Sequence, residues 1–344
     1  MFFIILIVVI IVTPTITATM NKTKRGKTTT TTTTTIEITS STTNNNTRWK
    51  QNAVTVAGGN GLGIESNQLY NPRGIYINND DQSIYIADTS NHRIVRWEFG
   101  ADNGEIVAGG NGKGYGIHQL NDPSDVVLDK EKKYIIICDQ TNARVTRWSR
   151  QNSQDPQILI HRIYCWGLAI DNNGDLYVSD LLKHEVRRFQ QGDKEGTVVA
   201  GGHGLGSSFD QLWQPSHIFV DEYYSIYVAD HMNNRVMKWM KNATKGILVV
   251  PEQVSGKNSN PLIFPIGLIV DHMSNIYVST NGIHQIIRWS PAATEGIPVV
   301  GEKEFGVKPT QLLFPQDLSF DGQGNLYVVD RSNDRIQRFD IDLD

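Results

Sequence analysis

Four segments of this 344-residue chain repeat one spacing of carboxylate, amide and guanidinium side chains. Asp88, Asn91 and Arg93 recur as Asp139, Asn142 and Arg144, as Asp230, Asn233 and Arg235, and as Asp330, Asn333 and Arg335. Such a set can present a ring of polar ligands. Asp and Asn also bond nearby backbone groups in turns, and each arginine can pair with its own aspartate. Groups that recur in every copy of a unit build the unit, so these twelve residues are expected to hold turns together.

The chain has nine histidines, enough for a metal site, yet none forms a ligand-spaced pair such as H-x-x-x-H. No metal and no other cofactor is expected. Ligands converging from separate segments escape that test, and His92, His217, His231 and His284 are the histidines to follow. No G-x-S-x-G elbow or other linear nucleophile motif occurs, so no catalytic residue is assigned. The Gly-rich stretches 58–63, 109–114 and 201–206 superficially suggest phosphate loops. No helical pattern follows them to supply N-terminal amides, and they read as turns requiring positive φ.

The elements that position these groups come from an internal repeat. Tyr85, Ile136, Tyr177, Tyr227, Tyr277 and Tyr327 occupy one position in six imperfect copies, spaced 51, 41, 50, 50 and 50 residues apart. A period of that length, rich in strand formers and turn residues, predicts a β-propeller. In the first copy, strand a is Gly74–Ile77, started by Pro72, which cannot donate to a ladder. Strand b is Ile84–Ala87, strand c Arg93–Trp97 and strand d Glu105–Ala108, four short strands making one antiparallel blade. Pro123, Pro215, Pro265 and Pro315 start the corresponding strands elsewhere, with Cys165 in the third copy. The c strands end in Trp97, Trp148, Phe189, Trp239, Trp289 and Phe339, aromatics expected to fill the wedge between blades. The last copy has no strand d, and Val54–Gly59 precedes the first copy as an orphan. The expected fold is all-β: a six-bladed β-propeller of four-stranded antiparallel blades, closed by an N-terminal outer strand in the last blade, which removes exposed edges.

These residues resemble the NHL-repeat family of six-bladed β-propellers. The likeness covers residues 53–344. It rests on P-x-G-I opening strand a, Y-V-A-D ending strand b, N-x-R near strand c, and V-A-G-G-x-G-x-G between units. The family includes RNA-binding and protein-binding modules, receptor sensor domains and a metal-dependent amidating lyase. The resemblance therefore implies a fold and leaves function to the site.

Departures from the repeat are where a site is expected, because irregular loops on a regular scaffold carry binding residues. The third copy is short and carries His161, Arg162, Tyr164 and Trp166 around the start of strand a. It also places Lys183 and Glu185 where Asn and Arg stand elsewhere. His217 replaces glycine in the fourth copy, and Thr280, Ile283 and Gln285 break the set in the fifth, next to His284. His161, Arg162, Tyr164, Trp166, Lys183, His217 and His284 are the candidate ligand-binding residues. Cys138 ends strand b of blade two and Cys165 opens strand a of blade three, on one face of neighbouring blades. A disulfide and a buried free thiol at Cys138 both fit.

Residues 1–20 form a signal peptide or membrane anchor. The apolar run 2–12 suits a secretory h-region, with Ile16-Thr17-Ala18 as a cleavage site. The following Lys22, Lys24, Arg25 and Lys27 instead favour an anchor whose C-terminal side is cytoplasmic. Residues 21–52, with threonine at 28–35, have no apolar periodicity and read as a disordered, O-glycosylated stalk. Asn21, Asn45 and Asn242 open glycosylation sequons. Residues 1–51 hold six Lys/Arg and one Glu, leaving 26 basic against 35 acidic residues beyond, a balance of −9. Such a domain has little attraction for phosphate backbones, and no nucleic-acid partner is expected. The sequence thus predicts a secreted or membrane-tethered monomer that binds a protein, peptide or glycan without catalysis, with membrane contact only through its N-terminal segment. A metal-dependent lyase or lactonase and an RNA-binding propeller are the alternatives.

Overall fold

The computed structural model describes residues 47–151, 155–251 and 262–343. The N-terminal apolar run, the threonine tract, Asn21 and Asn45 lie outside them. Blade one consists of Ile75–Asn78, Ser83–Asp88, Arg93–Glu98 and Glu105–Gly109, hydrogen-bonded in that order. Blades two to five repeat this a-b-c-d order, with a strands at Pro123–Leu128, Cys165–Ile170, Pro215–Val220 and Pro265–Val270. Blade six takes Pro315–Phe320, Leu326–Asp330 and Arg335–Phe339 from the end of the chain and Val54–Gly58 from its beginning. Successive a strands contact one another from blade one to blade six and back to blade one. The ring is closed.

The b strands are buried along their length because each blade is covered on both faces. Six apolar clusters fill the seams between blades. One joins Tyr85, Ile94 and Leu120 to Ile135, Ile137 and Trp148. The strand-c aromatics are buried in these wedges, as in Trp97, Trp239 and Phe339. One ribbon lies upstream of the repeat pattern. Arg48–Trp49 pairs antiparallel with Ile341–Asp342. The Trp49 indole N–H donates to the Gly324 carbonyl (3.0 Å), and its ring stacks on Phe320.

The Asp/Asn/Arg sets hold turns. In blade one, Asp88 Oδ2 accepts from Arg93 Nε (2.7 Å) and Asn91 Nδ2 (2.8 Å), while Oδ1 accepts from the Tyr70 amide (2.7 Å). Arg93 also donates to the carbonyls of Ile64 and Gln68, clamping the Gly-rich connection onto its blade. Blades two, four and six repeat the arrangement around Asp139, Asp230 and Asp330. Each turn then closes through a left-handed residue, whose side chain reaches the next blade in five of the six cases. His92, His184 and His284 accept an amide N–H through Nδ1 from Asp122, Gln214 and Phe314 (3.1–3.2 Å). Asn234 and Asp334 accept from Phe264 and Asn71. In blade two the residue is Ala143, and its backbone carbonyl receives the Ile163 amide.

Candidate functional site

The b–c turns and the d-to-a connections lie on one face of the disc, here the turn face. Each a strand starts at that face and descends beside the axis. Its third position alternates around the ring as Gly74, Asp125, Gly167, His217, Gly267 and Asp317. The glycines make room for their neighbours. A Cβ on Gly74 would meet Asp125 Oδ1 at 2.4 Å, and one on Gly167 would meet the His217 Cα at 2.8 Å. Small and large residues therefore interlock, and the three large ones meet.

Their meeting makes a buried polar cluster. His217 Nδ1 lies 3.4 Å from Asp317 Oδ1 and 3.7 Å from Asp125 Oδ2. Asp125 accepts the amide of Leu168 in blade three (2.7 Å) and its own neighbour's, Val126 (2.8 Å). Asp317 accepts those of Ile75 in blade one (2.9 Å) and Leu318 (2.8 Å). Each carboxylate thus stitches its blade to the next. Burial, and then the charge of Asp317, drive the Asp125 carboxyl well above the ordinary carboxylate range. Burial likewise raises Asp317, against the pull of His217. Burial lowers His217 below the usual imidazole value, reinforced by Arg73 and opposed by Asp317. His217 Nε2 is buried without a partner among the described residues.

One residue above this cluster, the second position of each a strand is Arg73, Ser124, Trp166, Ser216, Ile266 and Gln316. Ser124, Ser216, Ile266 and Gln316 are buried, leaving Arg73 and Trp166 partly exposed at the mouth of the axis. The Arg73 guanidinium lies over the Trp166 ring (5.3 Å), and Trp166 stacks on His231 (6.1 Å), which meets Phe264 (5.4 Å). Phe264 and Phe314 are each 42% exposed at positive φ of about 50°, an uncommon conformation for a bulky side chain.

The sequence candidates separate into four places. His217 belongs to the axial cluster, and Trp166 to the mouth, with Tyr164 exposed nearby. His161, Arg162 and Lys183 line a cleft of about 260 Å³ at the outer side of blades two and three, away from the axis. His284 is held between Phe305 and Phe314 in a blade-to-blade link. Lys183 sits 4.0 Å from Asp180, and Glu185 receives the Arg187 side chain instead of holding a turn. The Cys138 and Cys165 sulfurs are bonded to one another, joining blades two and three with Cα atoms 5.7 Å apart. Sequence reasoning missed Asp125, Asp317 and Arg73. The alternation of glycine with Asp, His and Asp was its available signal.

Among solved structures, the fold is similar to an auxiliary nutrient binding protein from Bacteroides thetaiotaomicron. That pair is 15% identical, covers 84% of this chain and 76% of the other, and has a TM-score of 0.66. It is also similar to a gluconolactonase from Xanthomonas campestris (11% identity, 81% and 88% covered, TM-score 0.58). A virginiamycin B lyase from Staphylococcus aureus gives 11% identity, 84% and 98% coverage and a TM-score of 0.52. Identities this low bear on fold alone. The family model for the NHL repeat matches residues 69–97, which run from the end of one Gly-rich connection to the strand-c tryptophan. With six four-stranded blades closed in a ring, the chain is a six-bladed β-propeller whose first blade matches the NHL repeat.

Proposed function

We propose that this propeller is a non-catalytic recognition module that binds a protein, peptide or glycan at the axial mouth of its turn face, outside the cell. One observation carries the reading. At the mouth Arg73 lies over Trp166, which stacks on His231 beside the exposed Phe264, whereas the turn sets of blades one, two, four and six repeat almost unchanged. Directly below, Asp125, His217 and Asp317 fill the axis, and both carboxylates already accept two backbone amides. The Cys138–Cys165 bond suits an oxidising compartment. Asn242, at a c–d turn on the opposite face, is exposed and would carry a glycan away from the mouth. The test is an array of glycans and peptides probed with residues 47–344. Retention of a ligand class by the parent protein, with loss in Trp166→Ala, supports the reading; retention undiminished by that change refutes it.

A metal-dependent lyase or lactonase is favoured by a different observation. One donor atom from each of Asp125, His217 and Asp317 lies within 4.8 Å of the others. Two oxygens and one imidazole nitrogen at such spacing fit a divalent cation such as zinc. A cation there would act as a Lewis acid toward a bound carbonyl. Stoichiometric metal in purified protein, lost in His217→Ala, would establish this reading.

A further inference from the structure

Blade three departs from its neighbours at a place the axial mouth does not use. In blades two and four the chain reaches strand a through residues 110–122 and 202–214, and each blade clamps its own connection. Asn142 donates to the Gly114 carbonyl (2.8 Å) and Arg144 to that of Gln119 (2.8 Å). Asn233 donates likewise to Gly206 (2.8 Å) and Arg235 to Gln211 (3.0 Å). Between strand d of blade two, Gln157–His161, and strand a of blade three, Cys165–Ile170, only residues 162–164 remain. Nothing is left to clamp, and Lys183 and Glu185 occupy the Asn and Arg places. The short connection leaves a notch in the rim of the disc, the cleft of about 260 Å³ between blades two and three.

The lining of the notch is basic, on a domain whose charge balance is −9. Arg162 and Lys183 stand toward the turn face, Arg187 in the middle of strand c (Glu185–Phe189), and Lys194 in the loop beyond that strand. Glu195 is the one acidic residue in the lining. Arg187 is held in place, donating to Glu185 Oε1 (2.5 Å) and to the Glu195 carbonyl (2.6 Å). The exposed Arg162 and Lys194 side chains make no ion pair or hydrogen bond with a described residue. Strand c sets the two ends of this basic row roughly 13 Å apart, at about 3.3 Å per residue. Beneath them Ile160, Ile163 and Phe189 form a buried apolar floor.

We infer that this notch is a second binding site, for a sulfated glycan lying along the rim. Guanidinium forks and ammonium groups both hold tetrahedral oxyanions. Cations spread along a cleft, instead of converging at one point, match a chain that carries anions at intervals. Glu185 and Glu195 leave a modest surplus of positive charge. A monoanionic sulfate ester suits that surplus better than a phosphate monoester, which carries about −1.5 to −2. Single-stranded nucleic acid needs exposed aromatic faces for its bases, and the one aromatic residue in the lining, Phe189, is 6% exposed. The inference shares with the proposed function only its extracellular setting.

Hydrogen-exchange mass spectrometry on the full chain, titrated with a heparin-derived tetrasaccharide and with its desulfated counterpart, locates and ranks the binding. The sulfated probe should slow exchange in residues 158–164 and 183–195, and the desulfated one should not. Arg162→Gln combined with Lys194→Gln should raise the concentration for half-maximal protection at least about tenfold. The thermal midpoint should stay within error, because both side chains are exposed. Lys303→Gln with Lys308→Gln, which removes the same charge outside the notch, should change that concentration less than about twofold. Protection confined to other segments, equal protection by the desulfated probe, or protection that survives the Arg162/Lys194 change overturns the assignment. Equal or stronger protection of the same segments by a sulfotyrosine peptide or an RNA oligonucleotide of matched charge overturns the glycan class. Failure of the mouth reading shows separately, as array binding untouched by Trp166→Ala.

Discussion

His217 in blade four places its Nδ1 3.4 Å from Asp317 Oδ1 in blade six, across the axis of the ring. The approach is possible because Gly267 stands between them in blade five, where a Cβ would meet the Asp317 Cα at 2.8 Å. Three glycines and three polar residues thereby close the centre of the disc. Removing the imidazole leaves two buried carboxylates facing one another. His217→Gly, which copies the odd-numbered blades, should lower unfolding free energy by about 3 kcal/mol, the scale for breaking a buried charged cluster. Urea unfolding measures it, and a loss within error of zero would show that the cluster does not hold the axis.

The same cluster sets a pH dependence. The folded Asp125 carboxyl sits well above its ordinary value of 3.8, so the folded state binds protons that the unfolded state has released. Stability contributed by this group is therefore largest in acid, and is lost as pH rises from that ordinary value through the raised one. His217 acts in the opposite sense, since its lowered value costs stability as pH falls below 6.5. Asp125→Asn removes the first effect and keeps the second. Its unfolding free energy should rise more steeply between pH 5 and pH 7 than that of the parent. Parallel pH profiles would contradict the assignment.

The turn sets make a prediction that blade five has already sampled. Thr280 and Gln285 stand there for the Asp and Arg of other blades, and Gln285 Nε2 donates to the Gly301 carbonyl (2.9 Å). In blade four, Arg235→Gln alone leaves Asp230 buried without its guanidinium partner and should cost about 3 kcal/mol. The double change Asp230→Thr with Arg235→Gln should recover at least half of that. A double variant no more stable than Arg235→Gln would show that the cost lies in the arginine's bonds to the connection instead.

Closure of the ring depends on Val54–Gly58, which pairs with Arg335–Arg338. Deleting residues 53–59 exposes the edge of blade six and separates the chain ends. The thermal midpoint should fall by several degrees with reduced cooperativity. An unchanged transition would mean that closure contributes little.

How much of this was legible depended on whether a feature repeats. The strands, the Asp/Asn/Arg turns and the wedge aromatics recur in register, so each copy supports the reading of the others. Asp125 and Asp317 each look like a local lapse from glycine in a single repeat, and their meaning appears only when six copies are arranged in a ring. His217 was visible as a departure, but its partners were not, because contact across an axis leaves no spacing in the chain. His284 was misleading for the opposite reason. It sits among the lapses of blade five, yet the structure gives it the same link that His92 and His184 make.

The most direct test of the central claim is ligand binding by the propeller before and after treatment with a chelator, with the recovered ligand analysed by mass spectrometry. The account predicts equal retention in both states, an intact ligand, and loss of binding in Trp166→Ala. Cleaved or rearranged ligand, formed only by the metal-loaded protein and abolished by His217→Ala, would contradict it.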